Sequence, residues 1–177
     1  TGTGFSTTNY PIWNSFGIFL SIIAMCCGGH TNSTSGAIRQ LRIVLVFKSI
    51  LMMIKGQFLP KSAVSSEYFY KGEDKTYVTP NSLSELFNFV SVYILSLLIG
   101  SAALMACGYP MHISIFEFAS AQGCVGQSIG VTSPTAPPIA LTILMFGMFF
   151  GRLEFFVIFY SVLKVFKDIK NLASKEN

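Results

Sequence analysis

Residues 76–151 contain no Lys or Arg, and neither do residues 1–38. All twelve basic residues fall in two blocks: Arg39, Arg42, Lys48, Lys55, Lys61, Lys71 and Lys75, then Arg152, Lys164, Lys167, Lys170 and Lys175. A water-soluble fold spreads its cations over its surface, whereas a membrane protein gathers them in the loops and helix ends on the cytoplasmic side. Composition agrees: 11% of residues are charged and 51% hydrophobic, against roughly 25% charged in an average soluble domain. This excludes disordered, coiled-coil, collagen and charged-tail classes. Despite the net charge of +4 it also excludes a nucleic-acid partner, which requires a basic face. The expected fold class is an all-α integral membrane protein. It crosses the plasma membrane several times, with residues 59–81 and the C-terminus cytoplasmic.

The first apolar run, Phe16 to Cys27 (FGIFLSIIAMCC), has twelve residues, where a span needs about 20. It stops in mid-membrane. Gly28 to Gly36 (GGHTNSTSG) is small and polar, and a helix then resumes over Ala37 to Phe58. Polar non-helical backbone at membrane depth survives only where it is buried in protein or lines a wet cavity. A broken helix beside a permeation path follows. No Met, basic leader or cleavage site precedes this run, so it is not a signal peptide, and the chain reads as an internal or C-terminal piece.

Residues 59–81 mix charges with turn formers at Lys71-Gly72-Glu73-Asp74, which predicts a short cytoplasmic hairpin. Ser82 to Cys107 then carries one charge, Glu85, and reads as a span running outward. Tyr109 to Gln122 (YPMHISIFEFASAQ) is too short to cross and leads into GCVGQSIGVTS. Pro138 opens the last apolar run, to Phe166, at a helix start where its missing N–H costs nothing. The second half is thus helix, re-entrant short helix, glycine turn, helix: a pore-loop unit. The domain boundaries expected are 1–58 (a filter and broken inner helix), 59–81 (cytoplasmic linker), 82–166 (a complete helix–pore–helix repeat) and 167–177 (cytoplasmic tail).

An internal repeat supports this division. TGTGFS at 1–6 aligns with GCVGQS at 123–128, and AMCCGG at 24–29 with GMFFGR at 147–152. A cation entering a bilayer must exchange its water shell for oxygens, and backbone carbonyls supply them without a charge that would trap it. Aiming successive carbonyls at one axis calls for backbone that glycine tolerates best. Gly4 and Gly126 are the expected positions, and Cys-Val-Gly at 124–126 is similar to the Thr-Val-Gly of potassium-channel filters. A ring of four such units closes the smallest familiar pore.

Arg152 lies fourteen residues after Pro138, about 21 Å along the helix. A charge at that depth faces a cavity or a partner. It is either a fixed positive charge below the filter, tethering the polar loop at 28–36, or a structural partner of Glu154 or of helix carbonyls. Cys26, Cys27 and His30 lack a fourth ligand for a soft metal, and the cysteines show no zinc or redox spacing. His112 and Glu117 lie on the short helix, where Glu117 either raises cation density at the pore mouth or holds the helix against its neighbours. No catalytic constellation is placed, so no enzyme is expected.

With filter, broken helix and Arg152 in place, the chain resembles the TrkH/KtrB family of potassium-uptake proteins, related to the plant and fungal HKT/Trk transporters. TGTGFST resembles that family's T-x-G-F-x-T filter and GGHTNSTSGAIR its loop G-G-x-x-G-S-T-A-G-G-I-K. FASAQGCVGQSIG and MFFGRLEFF resemble F-G-T-V-G-L-S-x-G and M-F-I-G-R-L. The resemblance implies a third repeat from its filter onward plus a whole fourth repeat. It further implies a homodimeric full-length chain in a lipid membrane, gated by a cytoplasmic nucleotide-binding subunit of the TrkA or KtrA type. Transported K+ would be held by main-chain carbonyls of Gly2, Thr3 and Gly4 and of Cys124, Val125 and Gly126, with no covalently bound cofactor. Gly28, Gly29, Ser33, Thr34 and Gly36 would form an intramembrane gate and Arg152 the arginine beneath the filter. Departures are Cys124 for threonine, Gln127 for an apolar residue, and Asn32 and Ala37 for loop glycines. The alternatives to potassium uptake are a sodium-permeable HKT-like transporter and a non-conducting membrane regulatory subunit.

Overall fold

The computed structural model describes residues 2–5, 7, 13–30, 33, 35–58, 68–71, 74–77, 80–133, 136–152, 164 and 167. Most of the expected linker and tail lies outside the described residues, as do the stretch 153–163 of the last predicted span, Asn32 and Glu154.

Helix α1, Ser15–Cys27, has 13 residues, about 20 Å. It ends where the hydropathy does, because Gly28 takes φ 66° and ψ −169° and its N–H closes on the Ala24 carbonyl at 3.2 Å. Only a residue without Cβ adopts that turn freely. The described residues of the loop beyond pair polar groups with one another and with the end of α1. Ser33 donates from backbone (2.9 Å) and hydroxyl (2.6 Å) to the His30 carbonyl, the Gly29 amide donates to Ser35 Oγ at 3.3 Å, and Ile38 and Gln40 amides return to Cys26 and Gly29 carbonyls.

Helix α2 is Gln40–Phe58, so the expected restart at Ala37 is corrected by three residues. Ala37 and Arg39 have φ of 69° and 72°, the left-handed region that no L-residue takes in a right-handed helix. Ala37 is held there by burial against Phe89 and Tyr93, and Arg42 lies over the Phe89 ring at 3.9 Å. Strands β1, Tyr68–Lys71, and β2, Asp74–Tyr77, pair antiparallel with Lys71 opposite Asp74, a hairpin at the predicted turn.

Helix α3, Pro80–Ala106, begins two residues before the expected boundary with proline at its first position. Within it Leu83–Ala106, of mean hydropathy 2.1, is the one described helix long and apolar enough to cross a membrane by length and composition. Gly108, at φ 95°, turns the chain into α4, Met111–Gln122, and α5, Pro138–Arg152, follows. Helix α4 is the hub, packing on α3, α5 and α1, with residues 116–122 buried continuously. Phe118 lies in a slot between two glycines. A Cβ on Gly100 of α3 would overlap its ring, and one on Gly147 of α5 would come within 3.0 Å. Around it close Leu104, Ala121, Val131, Ala140 and Leu144. Small residues bring helices together where lipid offers no hydrophobic contrast.

Candidate functional site

The segment after α4 is shaped by where its amides go. Gly123, Cys124 and Val125 donate to the carbonyls of Ala119 (2.8 Å), Ala121 (3.0 Å) and Ser120 (2.9 Å), the free C-terminal acceptors of α4. With its amides turned toward the helix, the segment has its carbonyls left over. Among the described residues no backbone amide donates to the carbonyls of Gly123, Cys124, Val125 or Gly126. The alternation requires left-handed residues, and Cys124 at φ 53° and Gly126 at φ 85° supply it. A Cβ on Gly126 would meet nothing within 4 Å, so what that position resists is conformation alone.

The segment 2–5, expected as the first filter, lies beside 123–126. Gly4, at φ 70°, faces the Val125 carbonyl so closely that a Cβ there would overlap it. Thr3 is exposed, and Gly2 packs against Ser35 of the loop. A cavity of about 240 Å³ is lined by Gly2, Met25, Gly28, Ser35, Val125 and Gln127 among others. Residues predicted separately as filter and gate therefore share one space. Gly36 meets the Gln122 and Gly123 carbonyls, a Cβ there coming within 3.0–3.1 Å of them, and Gly29 nearly touches Ser33. Thr34 lies outside the described residues.

A second cavity, of about 360 Å³, brings Arg152 together with Cys124, Val125, Gly126, Gln127 and Glu117. Arg152 is the exposed last residue of α5. Cys124 Sγ contacts the Met148 carbonyl at 3.6 Å. Glu117, 2% exposed, is no mouth charge. Its Oε1 accepts from Ser128 Oγ at 2.5 Å, Ile129 N at 2.7 Å and Val131 N at 3.2 Å. The electrostatics favour a cation twice, because the negative end of the α4 dipole, about half a charge, points toward carbonyls that accept from no backbone amide among the described residues. Among the described residues no group of three or more His, Cys, Asp or Glu is placed to hold a metal, Cys26, Cys27 and His30 included.

Sequence reasoning missed two residues here. Gln122, with no exposure, donates through Nε2 to the Tyr93 carbonyl at 3.1 Å and to Ser96 Oγ at 2.5 Å, fastening the end of α4 to α3. Its backbone carbonyl is also where a Cβ on Gly151 would land. Ser35 is buried between Gly2 and Gly29. Neither residue stood out by spacing. An amide at the end of an apolar helix was the available signal for Gln122.

Comparison with known proteins agrees with this geometry. Residues 1–168 match the family model TrkH, cation transport protein. The chain is 32% identical over 154 residues to an uncharacterised cation transporter of Methanocaldococcus jannaschii, covering 87% of this chain and 32% of that protein. It is 26% identical over 164 residues to the Trk system potassium uptake protein TrkH of Escherichia coli K12, covering 89% and 32%. The chain thus spans about a third of the length of these curated relatives. The crystal structure of the potassium transporter TrkH from Vibrio parahaemolyticus superposes with a TM-score of 0.73 at 24% identity, over 89% of this chain and 33% of that one. Apart from the β1–β2 hairpin, the fold is accordingly the all-α membrane architecture of pore-loop helix repeats, and the chain belongs to the TrkH family of cation transport proteins.

Proposed function

We propose that this chain forms the third pore-loop repeat from its filter onward, and the whole fourth repeat, of a potassium-uptake pore. The observation that carries the reading is the row of carbonyls at 123–126. It is turned away from its own helix by left-handed residues and set against Gly4 of the neighbouring segment. Membership of the family and the names of its potassium-uptake relatives support the choice of ion. Carbonyls of Gly2, Thr3 and Gly4 and of Cys124, Val125 and Gly126 replace the hydration shell of a K+ ion, which is cargo and not a resident cofactor.

The remaining assignments belong to the same reading. Residues 28–36 form a gate below the filter, closing the 240 Å³ cavity through Gly28 and Ser35. Arg152 limits how many cations occupy the space beneath Cys124, with which it shares the second cavity. Residues 1–58 are the filter and broken inner helix of the third repeat and 82–166 the fourth helix–pore–helix repeat, and the hairpin linker 59–81 and tail 167–177 are cytoplasmic. The full-length chain is a homodimer in the plasma membrane, regulated by a nucleotide-binding subunit of the TrkA type.

Rubidium and sodium uptake into liposomes holding the full-length parent chain, beside its Gly126→Ser variant, tests the proposal. Rubidium uptake that exceeds sodium uptake and is lost in the variant is the expected result. Uptake unchanged in the variant overturns conduction through this filter, no uptake in either leaves a non-conducting subunit, and sodium uptake equal to rubidium leaves the sodium-permeable relative.

A further inference from the structure

Glu117 gathers three donors on one oxygen, and all three come from the chain leaving the filter: Ser128 Oγ, Ile129 N and Val131 N. Ser128 Oγ in turn accepts the Gly130 amide at 3.0 Å. Three consecutive amides, 129 to 131, are therefore satisfied by two side chains. An acid inside the membrane is costly and is retained where it has work to do. Its position on α4 shows what the work is. The filter enters from α4 with the Cys124 and Val125 amides fixed on the Ala121 and Ser120 carbonyls, and it leaves through the bracket on Glu117, one helical turn earlier. Residues 124–127 are held at both ends by one rigid helix, and the spacing of their carbonyls depends on both attachments. Glu117 also borders the cavity that contains Cys124 and Gly126.

We propose that Glu117 is a specificity-determining positioning residue, which holds the exit of the fourth filter segment so that its carbonyls keep the spacing of the larger alkali cation. This rests on the pore reading above. Bonds to a charged acceptor are the strong ones, and a neutral amide still accepts through its own oxygen, so the substitutions form a graded series.

The test uses the full-length parent chain in liposomes, with rubidium and sodium uptake measured for Glu117→Ala, Glu117→Gln and Ser128→Ala. Hydrogen exchange at the amides of Ile129 and Val131 is followed in the same variants. Glu117→Ala is expected to lower the rubidium-to-sodium ratio about tenfold without lowering sodium uptake, and to speed exchange at both amides by a similar factor. Glu117→Gln falls between it and the parent, and Ser128→Ala shifts the ratio the same way by less. An unchanged ratio, equal loss of both ions, or unchanged exchange overturns the proposal. Where Glu117→Ala does not accumulate in the membrane, an unchanged ratio in the Gln and Ser128 variants does so. A parent that takes up neither ion overturns the pore reading and the specificity claim with it, even where exchange shows the bracket intact.

Discussion

Gly28 and Gly151 occupy matching positions in the two copies of the repeat, yet the chain does opposite things at them. After Gly28 the helix is over: φ is 66°, and the Gly29 amide donates to Ser35 Oγ instead of to a helical carbonyl. At Gly151 the helix continues to Arg152. The first glycine supplies a dihedral that other residues resist. The second supplies only the absence of a side chain, since a Cβ there would overlap the Gln122 carbonyl. The two filters divide in the same way. Gly4 is limited by both φ and a neighbouring backbone, and Gly126 by φ alone. A repeated residue is therefore no guide to a repeated reason.

That contrast is best broken at the filters, where the largest effects are expected. Gly4→Ala adds the left-handed cost of about 1–2 kcal/mol to a collision with the Val125 carbonyl, and should abolish rubidium uptake and lower the thermal midpoint in detergent. Gly126→Ala carries the conformational cost alone and should retain the larger share of stability. The reverse order would show that the segments do not lie as described. Next come the matched helix positions. Gly28→Ala brings a Cβ to 2.8 Å from both the Ala37 methyl and the Gly36 carbonyl, whereas Gly151→Ala forces α5 away from α4, a strain of about 1–3 kcal/mol. Ala37→Gly relieves its own left-handed strain in either background, but its coupling energy should be about 1 kcal/mol with Gly28→Ala and near zero with Gly151→Ala, a difference that a double-mutant cycle on unfolding midpoints reads directly. The smallest effect is expected at Cys124→Ser. Serine still donates to the Met148 carbonyl, and with main-chain carbonyls as the proposed ligands uptake should stay within about twofold of the parent. A larger change would mean that the side chain itself meets the ion.

What was legible beforehand was whatever hydropathy and length control. The early stop of α1, the long α3, the short α4 and the start of α5 at Pro138 all follow from counting apolar residues against the thickness of a bilayer. The glycine turns followed from what carbonyl coordination demands of a backbone. The start of α2 was not legible, because AIRQLRIV is a sound helix by propensity. Ala37 and Arg39 turn left-handed only because Phe89 and Tyr93 hold Ala37 and because Cys26 and Gly29 carbonyls claim the next amides. Glu117 was visible as one of two acids between residues 76 and 151. Its partners eleven to fourteen residues away follow no helical period, so its work showed only once the filter had folded back over α4. Gln122 is the same case at longer range, its acceptors lying 26 and 29 residues earlier.

The burial of α4 also carries a consequence for how such a chain is made. Twelve residues, eight of them buried and one an acid, offer an insertion machinery nothing it would release sideways into lipid. Helices α3 and α5, on which α4 packs, are expected to be in place before it. Only when Gly100 and Gly147 present their gap can the Phe118 ring enter and draw the rest of α4 inward. The order expected for this half is thus walls first and lining second.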